Sequence, residues 1–261
     1  MLEIKNLLIQ YGEKAPAIEG FSLSMKEGEI ISIVGESGSG KSTVMNSILG
    51  ALPETASIKA DSFTFCGKDL LNQSRKEWRE LRGTEISMIF QDCSSSLNPI
   101  RKIGVQFVEY IRTHREMSKT QARVLAEGML ASMQLAEPKR VMNSFPFQLS
   151  GGMMQRVGIA MAMTFQPKLL LADEPTSALD VTIQAQVVKQ MMELRENDNT
   201  SILLVTHNIG VAAYMSDKLI VLQGGRVVDQ GETKKVLTNP TSSYTKELLS
   251  AIPDMEGVRY V

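Results

Sequence analysis

A glycine-rich segment at residues 35–42 constrains this 261-residue chain more than any other feature. It reads Gly35-Glu36-Ser37-Gly38-Ser39-Gly40-Lys41-Ser42, and Thr43 follows directly. An apolar run precedes it and residues with helical spacing come after it, which is the strand–loop–helix context of a phosphate-binding loop. Glycines let successive N–H groups face one anion, and the new helix adds its positive end. The segment therefore predicts a nucleoside triphosphate site.

Two side chains of this loop carry specific expectations. Lys41 is placed to reach the β- and γ-phosphates as a positive point charge, and the Ser42 hydroxyl is placed to ligate Mg²⁺. The alternative is a glycine- and serine-rich turn that happens to end in Lys-Ser. The flanking strand and helix signals favour the phosphate-binding loop.

Composition narrows the class of protein. The chain is 43% hydrophobic and 22% charged with a net charge of -1, which is ordinary for a globular protein and does not favour nucleic acid as a partner. No apolar run approaches the ~18 residues of a membrane span, and the N-terminus lacks the pattern of a secretory signal. Two cysteines are too few for a disulfide framework and lack metal-ligand spacing. We expect a cytosolic protein.

The order of the strand and helix patterns predicts an α/β core interrupted by helices. Early alternating segments predict an antiparallel sheet, and later strands alternate with helices as in a parallel sheet. Strands are predicted at 2–9, 21–25, 30–34, 62–65, 86–90, 168–172, 201–206 and 219–222. Helical patterns dominate from 103 to 114 and again from 118 to 133. We predict a core of residues 1–91 and 166–240, a helical insertion at 92–165, and a C-terminal tail at 241–261.

An apolar strand that ends in two carboxylates supplies the second candidate site. The run Leu169–Ala172 leads into Asp173 and Glu174. A buried strand followed by aspartate is typical of the Mg²⁺ site of phosphate-loop NTPases. Glu174 comes next, where a carboxylate could orient and polarise the attacking water. The alternative is a strand end with two solvated acids.

A second predicted anion site begins at Ser150, which precedes Gly151, Gly152 and a helix running to about residue 165. Serine is a good N-cap, and the paired glycines expose N–H groups at the positive end of that helix. If the helical insertion holds this segment away from the first loop, one γ-phosphate cannot use both from one subunit. We therefore expect two subunits arranged head to tail, each completing the other's site.

In this order and spacing, the phosphate loop, the Leu-Ser-Gly-Gly-Met segment and the Leu-Ala-Asp-Glu-Pro run resemble the nucleotide-binding subunits of ABC transporters. The resemblance implies a P-loop NTPase (RecA-like) core with an N-terminal antiparallel β subdomain and an inserted helical subdomain. It implies that Tyr11 stacks on adenine and that Gln91 contacts Mg²⁺ and the attacking water. It also implies that the loop ending at Asp180 crosses a dimer interface and that His207 contacts the γ-phosphate.

Within that family, three segments are similar to the dipeptide, oligopeptide and nickel importer ATPases. They are residues 91–99, 178–186 and 244–253. The chain departs from that group at Cys93, Met154 and Asn208, where proline, arginine and aspartate are usual. Members of the group can carry a cysteine-rich C-terminal cluster. Since no cysteine follows Cys93, we predict no iron–sulfur cluster.

The resemblance implies an ATPase that uses ATP and Mg²⁺ at the cytoplasmic face of the membrane. Its partners would be a second ABC ATPase subunit, integral membrane permease subunits and, indirectly, an extracytoplasmic solute-binding protein. The alternative is a non-transport ABC ATPase acting on DNA or ribosomes. The short interval between the phosphate loop and the Leu-Ser-Gly-Gly-Met segment disfavours this alternative. A GTPase would need a guanine-reading Asn-Lys-x-Asp motif, and the sequence contains none. The sequence leaves open whether the cargo is a peptide, nickel or a metal–chelator complex. It also leaves open whether the partner ATPase subunit is identical or paralogous.

Overall fold

The computed structural model describes residues 1–93, 96–177 and 179–250. Parts of three segments singled out above, at residues 94–95, 178 and 251–261, lie outside the described residues. The chain divides into two compact units, residues 1–78 with those from 201 onward, and residues 79–200. The domain limits drawn from the sequence stay a prediction.

The elements are numbered in chain order. The strands are β1 (Leu2–Tyr11), β2 (Ile18–Met25), β3 (Ile30–Val34), β4 (Ala56–Lys59), β5 (Ser62–Phe65), β6 (Lys68–Asp69), β7 (Ile86–Ile89), β8 (Leu169–Asp173), β9 (Ser201–Val205), β10 (Lys218–Gln223) and β11 (Arg226–Glu232). The helices are α1 (Lys41–Ile48), α2 (Arg75–Leu81), α3 (Ile103–His114), α4 (Lys119–Ser132), α5 (Pro138–Asn143), α6 (Gly151–Met163), α7 (Val181–Asp198), α8 (Ile209–Met215), α9 (Thr233–Thr238) and α10 (Ser243–Ser250).

The first unit contains an antiparallel sheet built around β1. This strand pairs with β2 along one edge and with β4 and β5 along the other, and β6 extends β5. Its inward residues are fully buried, whereas Lys5 and Asn6 are both exposed. Asn6 has a left-handed φ of 52°, and the pairing with β2 shifts register there. This bulge explains why the apolar alternation of the segment is imperfect.

The first unit also contains parallel strands. β3 lies between β9 and β10 and is parallel to both, and β11 pairs antiparallel with β10. All five residues of β3 and all five of β9 are buried, as expected of strands covered on both faces. Because parallel strands end at the same edge of a sheet, the loops after β3 and β9 leave side by side.

The second unit pairs β7 with β8 in parallel and contains helices α3 to α7. Helix α3 buries Ile103, Phe107 and Ile111, which share one face because they are four residues apart. Helix α4 begins at a capping box in which Ser118 and Gln121 exchange side-chain and backbone hydrogen bonds. Within the described ranges, no helix is long and apolar enough to cross a membrane.

A close contact in the second unit yields a stability prediction. Gly158 on α6 faces Cys93, and an added Cβ would overlap the Cys93 Sγ and lie 2.9 Å from its Cβ. Cys93 is buried, and burial raises the pKa of its thiol to about 12. We expect Gly158→Ala to lower the free energy of unfolding by about 1–3 kcal/mol through overpacking.

Gly128 provides the matched control, because it also lies inside a helix but a Cβ there meets nothing within 4 Å. Gly128→Ala should therefore raise stability by up to about 1 kcal/mol, through helix propensity alone. Urea unfolding of both variants measures the two effects. Equal effects at the two positions would contradict the packing argument.

Candidate functional site

The loop between β3 and α1 requires glycine at two positions for steric reasons. Gly35 has a φ of 153°, and a Cβ there would overlap the carbonyl oxygen of Leu222. Gly40 has a φ of 101°, and its Cβ would come 2.9 Å from the carbonyl oxygen of Ala17. Both conformations are disfavoured for other residues. The glycine pattern in the sequence therefore reflects the shape of this loop.

The Lys41 side chain is held inside the loop that precedes it. Its ammonium donates to the carbonyl oxygens of Gly35 at 2.8 Å and Glu36 at 2.6 Å, and lies 3.4 Å from the Ser39 hydroxyl. Only 7% of Lys41 is exposed, whereas Ser42, the next residue, is exposed. The structure thus places a buried positive charge at the loop and an exposed serine at the start of α1.

Two further predicted residues lie in the same unit. Tyr11 ends β1, and its hydroxyl donates to the Thr43 hydroxyl at 3.4 Å, so the ring is tied to the first turn of α1. His207 is exposed and follows β9, whose Val205 pairs with Ile33 of β3. It therefore leaves the same edge of the sheet as the glycine-rich loop. The roles of Tyr11 toward adenine and of His207 toward phosphate stay predictions.

In the second unit, strand register brings two predicted residues together. Ile89 of β7 pairs with Ala172 of β8, and Gln91 and Glu174 each come two residues later. The Gln91 Nε2 donates to the Glu174 Oε2 at 3.3 Å. Asp173, the last residue of β8, is buried with 7% exposed. The glutamine and the carboxylate thus form a hydrogen-bonded pair at the end of two parallel strands.

The backbone at Glu174 is in a rare conformation. Its φ is 45°, in the left-handed region, which costs a non-glycine residue about 1–3 kcal/mol. The Glu174 carbonyl accepts the Ser177 N–H at 3.2 Å and the Ser177 hydroxyl at 3.1 Å. These bonds hold the turn that lifts the chain away from β8. Strain of this kind is common where a side chain is held for function.

Gln155 is a site residue that the sequence analysis missed. It is 4% exposed on α6, and its Nε2 donates to the Pro175 carbonyl at 2.9 Å and lies 3.4 Å from the Phe90 carbonyl. One amide thus ties α6 to the residue before Gln91 and to the residue after Glu174. A glutamine on an otherwise apolar helix face was the available signal, because a buried amide needs partners.

The start of α6 is open to solvent. Ser150 is its N-cap, with an exposed side chain whose hydroxyl accepts the Met153 N–H at 3.3 Å. A Cβ at Gly151 would meet nothing within 4 Å, and one at Gly152 would meet only Leu179 at 3.4 Å. The thirteen-residue helix therefore presents its positive end and its first N–H groups to the outside.

Asp180 caps helix α7. Its Oδ1 accepts the Ile183 N–H at 3.0 Å, so the carboxylate has a local structural role. Ala178, two residues before Asp180, lies outside the described residues. The predicted place of Asp180 in a subunit interface stays a prediction.

The predicted Mg²⁺ ligands fit that metal by donor chemistry. Ser42, Gln91 and Asp173 offer a hydroxyl, an amide oxygen and a carboxylate, all hard oxygen donors. Among the described residues, no group of three or more histidine, cysteine, aspartate or glutamate side chains could hold a metal ion.

Comparison with known proteins decides the family. Residues 18–177 match the family model described as ABC transporter. The chain belongs to the ABC transporter family. The oligopeptide transport ATP-binding protein OppD of Bacillus subtilis (strain 168) is 43% identical over 261 residues, covering 98% of this chain and 73% of that protein. The dipeptide transport ATP-binding protein DppD of Escherichia coli (strain K12) is 42% identical over 257 residues, covering 97% and 79%.

Solved structures agree with this assignment. The dimeric, post-hydrolysis structure of the ATP-binding cassette MJ0796 bound to ADP and Pi has a TM-score of 0.78 and 32% identity, covering 89% of this chain and 99% of that one. The predicted ABC transporter family, the fold class and the assignment as an ATPase are therefore confirmed.

Proposed function

We propose that this ABC ATPase binds and hydrolyses ATP to drive the import of peptides across a membrane. The relatives compared above are named for oligopeptide and dipeptide transport, which favours peptides among the cargoes that the sequence left open. The same names favour transport over an action on DNA or ribosomes. Nickel and metal chelates become the lesser alternatives.

In this proposal the first unit binds the triphosphate. The Lys41 ammonium and the backbone N–H groups of the loop and of the first turn of α1, other than those of Glu36 and Ser39, hold the phosphates, and Tyr11 stacks on adenine. The short bonds from Lys41 to the loop carbonyls support this, because they hold the charge at the loop before phosphate arrives. A preorganised charge binds more tightly than a mobile one, since less side-chain entropy is lost.

The partner subunit supplies the second anion site, at Ser150, Gly151, Gly152 and the loop ending at Asp180. The observation that carries this proposal is the exposed start of α6, where the serine and the first glycine face solvent. A helix N-terminus attracts phosphate through its dipole and its unpaired N–H groups. The dimeric state of the MJ0796 cassette supports a two-subunit site.

Glu174 serves as the general base that takes a proton from the attacking water. Gln91 holds that carboxylate through its amide nitrogen at 3.3 Å, and its amide oxygen would be the atom that binds Mg²⁺ and the water. His207 donates to the γ-phosphate. Ser42, Gln91 and Asp173 would hold Mg²⁺, which would supply positive charge against the charge that develops on the phosphate oxygens. Gln155 positions both strand ends against α6.

The cassette works in this proposal with integral membrane permease subunits at the cytoplasmic face of the membrane. A solute-binding protein on the other side delivers the peptide and contacts the permease rather than this chain. In this proposal the permease subunits provide the transport path.

Complementation between two inactive variants tests the shared site. Lys41→Ala damages the phosphate loop and leaves Ser150 intact, and Ser150→Arg places a bulky cation at the start of α6 and leaves the loop intact. If each site uses residues of two subunits, a mixed dimer contains one undamaged site. An equal mixture should recover about a quarter of the wild-type ATPase rate, since half of the dimers are mixed.

Ser132→Arg is the matched control, because Ser132 is also exposed, on α4 of the same unit. This variant should keep nearly full activity alone. A mixture of Lys41→Ala and Ser150→Arg that stays inactive, while each variant still dimerises with wild-type protein, would overturn the two-subunit site.

A further inference from the structure

A residue near the end of the described chain contacts the phosphate loop. The N–H of Glu36, the second residue of that loop, donates to the Tyr244 hydroxyl at 2.8 Å. Tyr244 lies on α10, 208 residues away in sequence. It belongs to the tail that the sequence analysis left without a role, and both residues lie in the first unit.

The start of α10 is anchored by a carboxylate on β11. The Asp229 Oδ2 accepts the N–H of Thr241 at 2.8 Å and the N–H of Ser242 at 3.2 Å, just before the helix begins. Burial alone raises the pKa of the Asp229 carboxyl, but these N–H donors and the nearby threonine hydroxyls hold it below its usual range. Asp229 therefore stays ionised at neutral pH and keeps both bonds.

Apolar packing fixes the same helix against the strand that leads into the loop. Tyr244 and Leu248, one helical turn apart, pack on a buried cluster of Val34, Ala212, Leu219, Val221 and Val236. Val34 is the last residue of β3 and directly precedes Gly35. Packing on this cluster therefore fixes the position of the Tyr244 ring and places its hydroxyl next to the loop.

The peptide groups of Glu36 are held from two directions. Its N–H is bound by Tyr244, and its carbonyl accepts the Lys41 ammonium at 2.6 Å and the Ser39 N–H at 3.2 Å. Glu36 itself has an exposed side chain and contributes only its backbone to these bonds. The bond to Tyr244 thus acts on the same residue that holds the phosphate-binding lysine.

We propose that Tyr244 is a positioning residue of the nucleotide site, through which the C-terminal segment 241–250 holds the phosphate loop in the shape that binds phosphate. This inference rests on the proposed function, since it assigns Tyr244 a task in ATP binding. Tyr244 acts on the ligand only through Glu36 and Lys41. A water molecule can accept the Glu36 N–H in place of the Tyr244 hydroxyl. It orders the loop less, because it is not held in place by packing.

Tyr244→Phe tests the proposal, because it removes the hydroxyl and keeps the ring on its cluster. We expect the Kd for ADP and the KM for ATP to rise about threefold to tenfold, which is the loss of one ordinary hydrogen bond. The kcat at saturating ATP should stay within about twofold, because Glu174 and Gln91 are untouched. The urea midpoint should stay close to that of the wild type.

Tyr214→Phe is the matched control, because Tyr214 is 69% exposed on α8 of the same unit. It should leave KM, kcat and stability unchanged. Asp229→Asn should raise KM in the same direction, by loosening the start of α10. In the Tyr244→Phe background it should have a smaller effect, because both changes act through one contact.

Two results would overturn the inference. They are an unchanged KM in Tyr244→Phe, with or without a loss of stability, and independent effects of the Asp229 and Tyr244 substitutions. Failure of the proposed function looks different, since the wild-type protein itself would then bind no ATP or would bind it equally well after Lys41→Ala.

Discussion

Replacing Lys41 with alanine is expected to weaken ATP binding by about 10²–10³-fold, or roughly 3–4 kcal/mol. Lys41 is 7% exposed and its ammonium is already held by two loop carbonyls, so its charge is fixed within the loop. Loss of a preorganised, desolvated cation at a triphosphate removes a charge-assisted contact that water cannot replace at equal strength. Calorimetric titration with ATP measures the change.

Two further variants separate charge from shape. Lys41→Met keeps most of the buried side chain and removes only the charge, so it should lose nearly as much affinity as the alanine variant. Lys59→Ala removes an exposed lysine of β4 in the same unit and should change nothing. Wild-type affinity in Lys41→Met would show that the charge is not used, and the assignment of the loop would fail.

Glu174→Gln is expected to lower kcat for ATP hydrolysis by about 10²–10⁴-fold while ATP binding persists. The amide has the shape of the carboxylate and can still accept the Gln91 hydrogen bond, which is 3.3 Å long in the native protein. It cannot take a proton from water. The barrier should therefore rise by roughly 3–5 kcal/mol with little change in structure.

The same variant should accumulate as an ATP-bound dimer, because bound nucleotide joins two subunits and hydrolysis no longer separates them. Phosphate release measures the rate, and gel filtration with and without ATP measures the dimer. Glu196→Gln, an exposed carboxylate on α7, is the control and should behave as wild type. Unchanged turnover in Glu174→Gln would remove Glu174 from the mechanism.

Elements with strong apolar patterns were predicted closely. The predicted strands at 30–34 and 62–65 and the predicted helix at 103–114 match β3, β5 and α3 in both bounds. The missed strands were β4, β6 and β11, none of which contains a fully buried residue. Their residues form strands because a neighbouring strand offers hydrogen bonds, which is a tertiary effect that local periodicity does not contain.

The candidate site likewise contains residues that the sequence predicted and contacts that only the structure shows. The glycine-rich loop was recognised because Gly35 and Gly40 are required by backbone conformation, which a local motif encodes. Gln91 and Glu174 were singled out one at a time, but their hydrogen bond depends on the register between β7 and β8. Gln155 was missed because its partners, the carbonyls of Phe90 and Pro175, are brought next to it only by the tertiary structure.

The sequence by itself determined the family, the phosphate loop and the exposed helix start at Ser150, because each depends on short-range backbone geometry and residue type. Only the tertiary structure decided which side chains meet. The pair Gln91–Glu174 spans 83 residues and the contact Glu36–Tyr244 spans 208. The physical reason is that such partners are chosen by strand register and by packing of buried apolar surface, which depend on the whole unit rather than on any one segment.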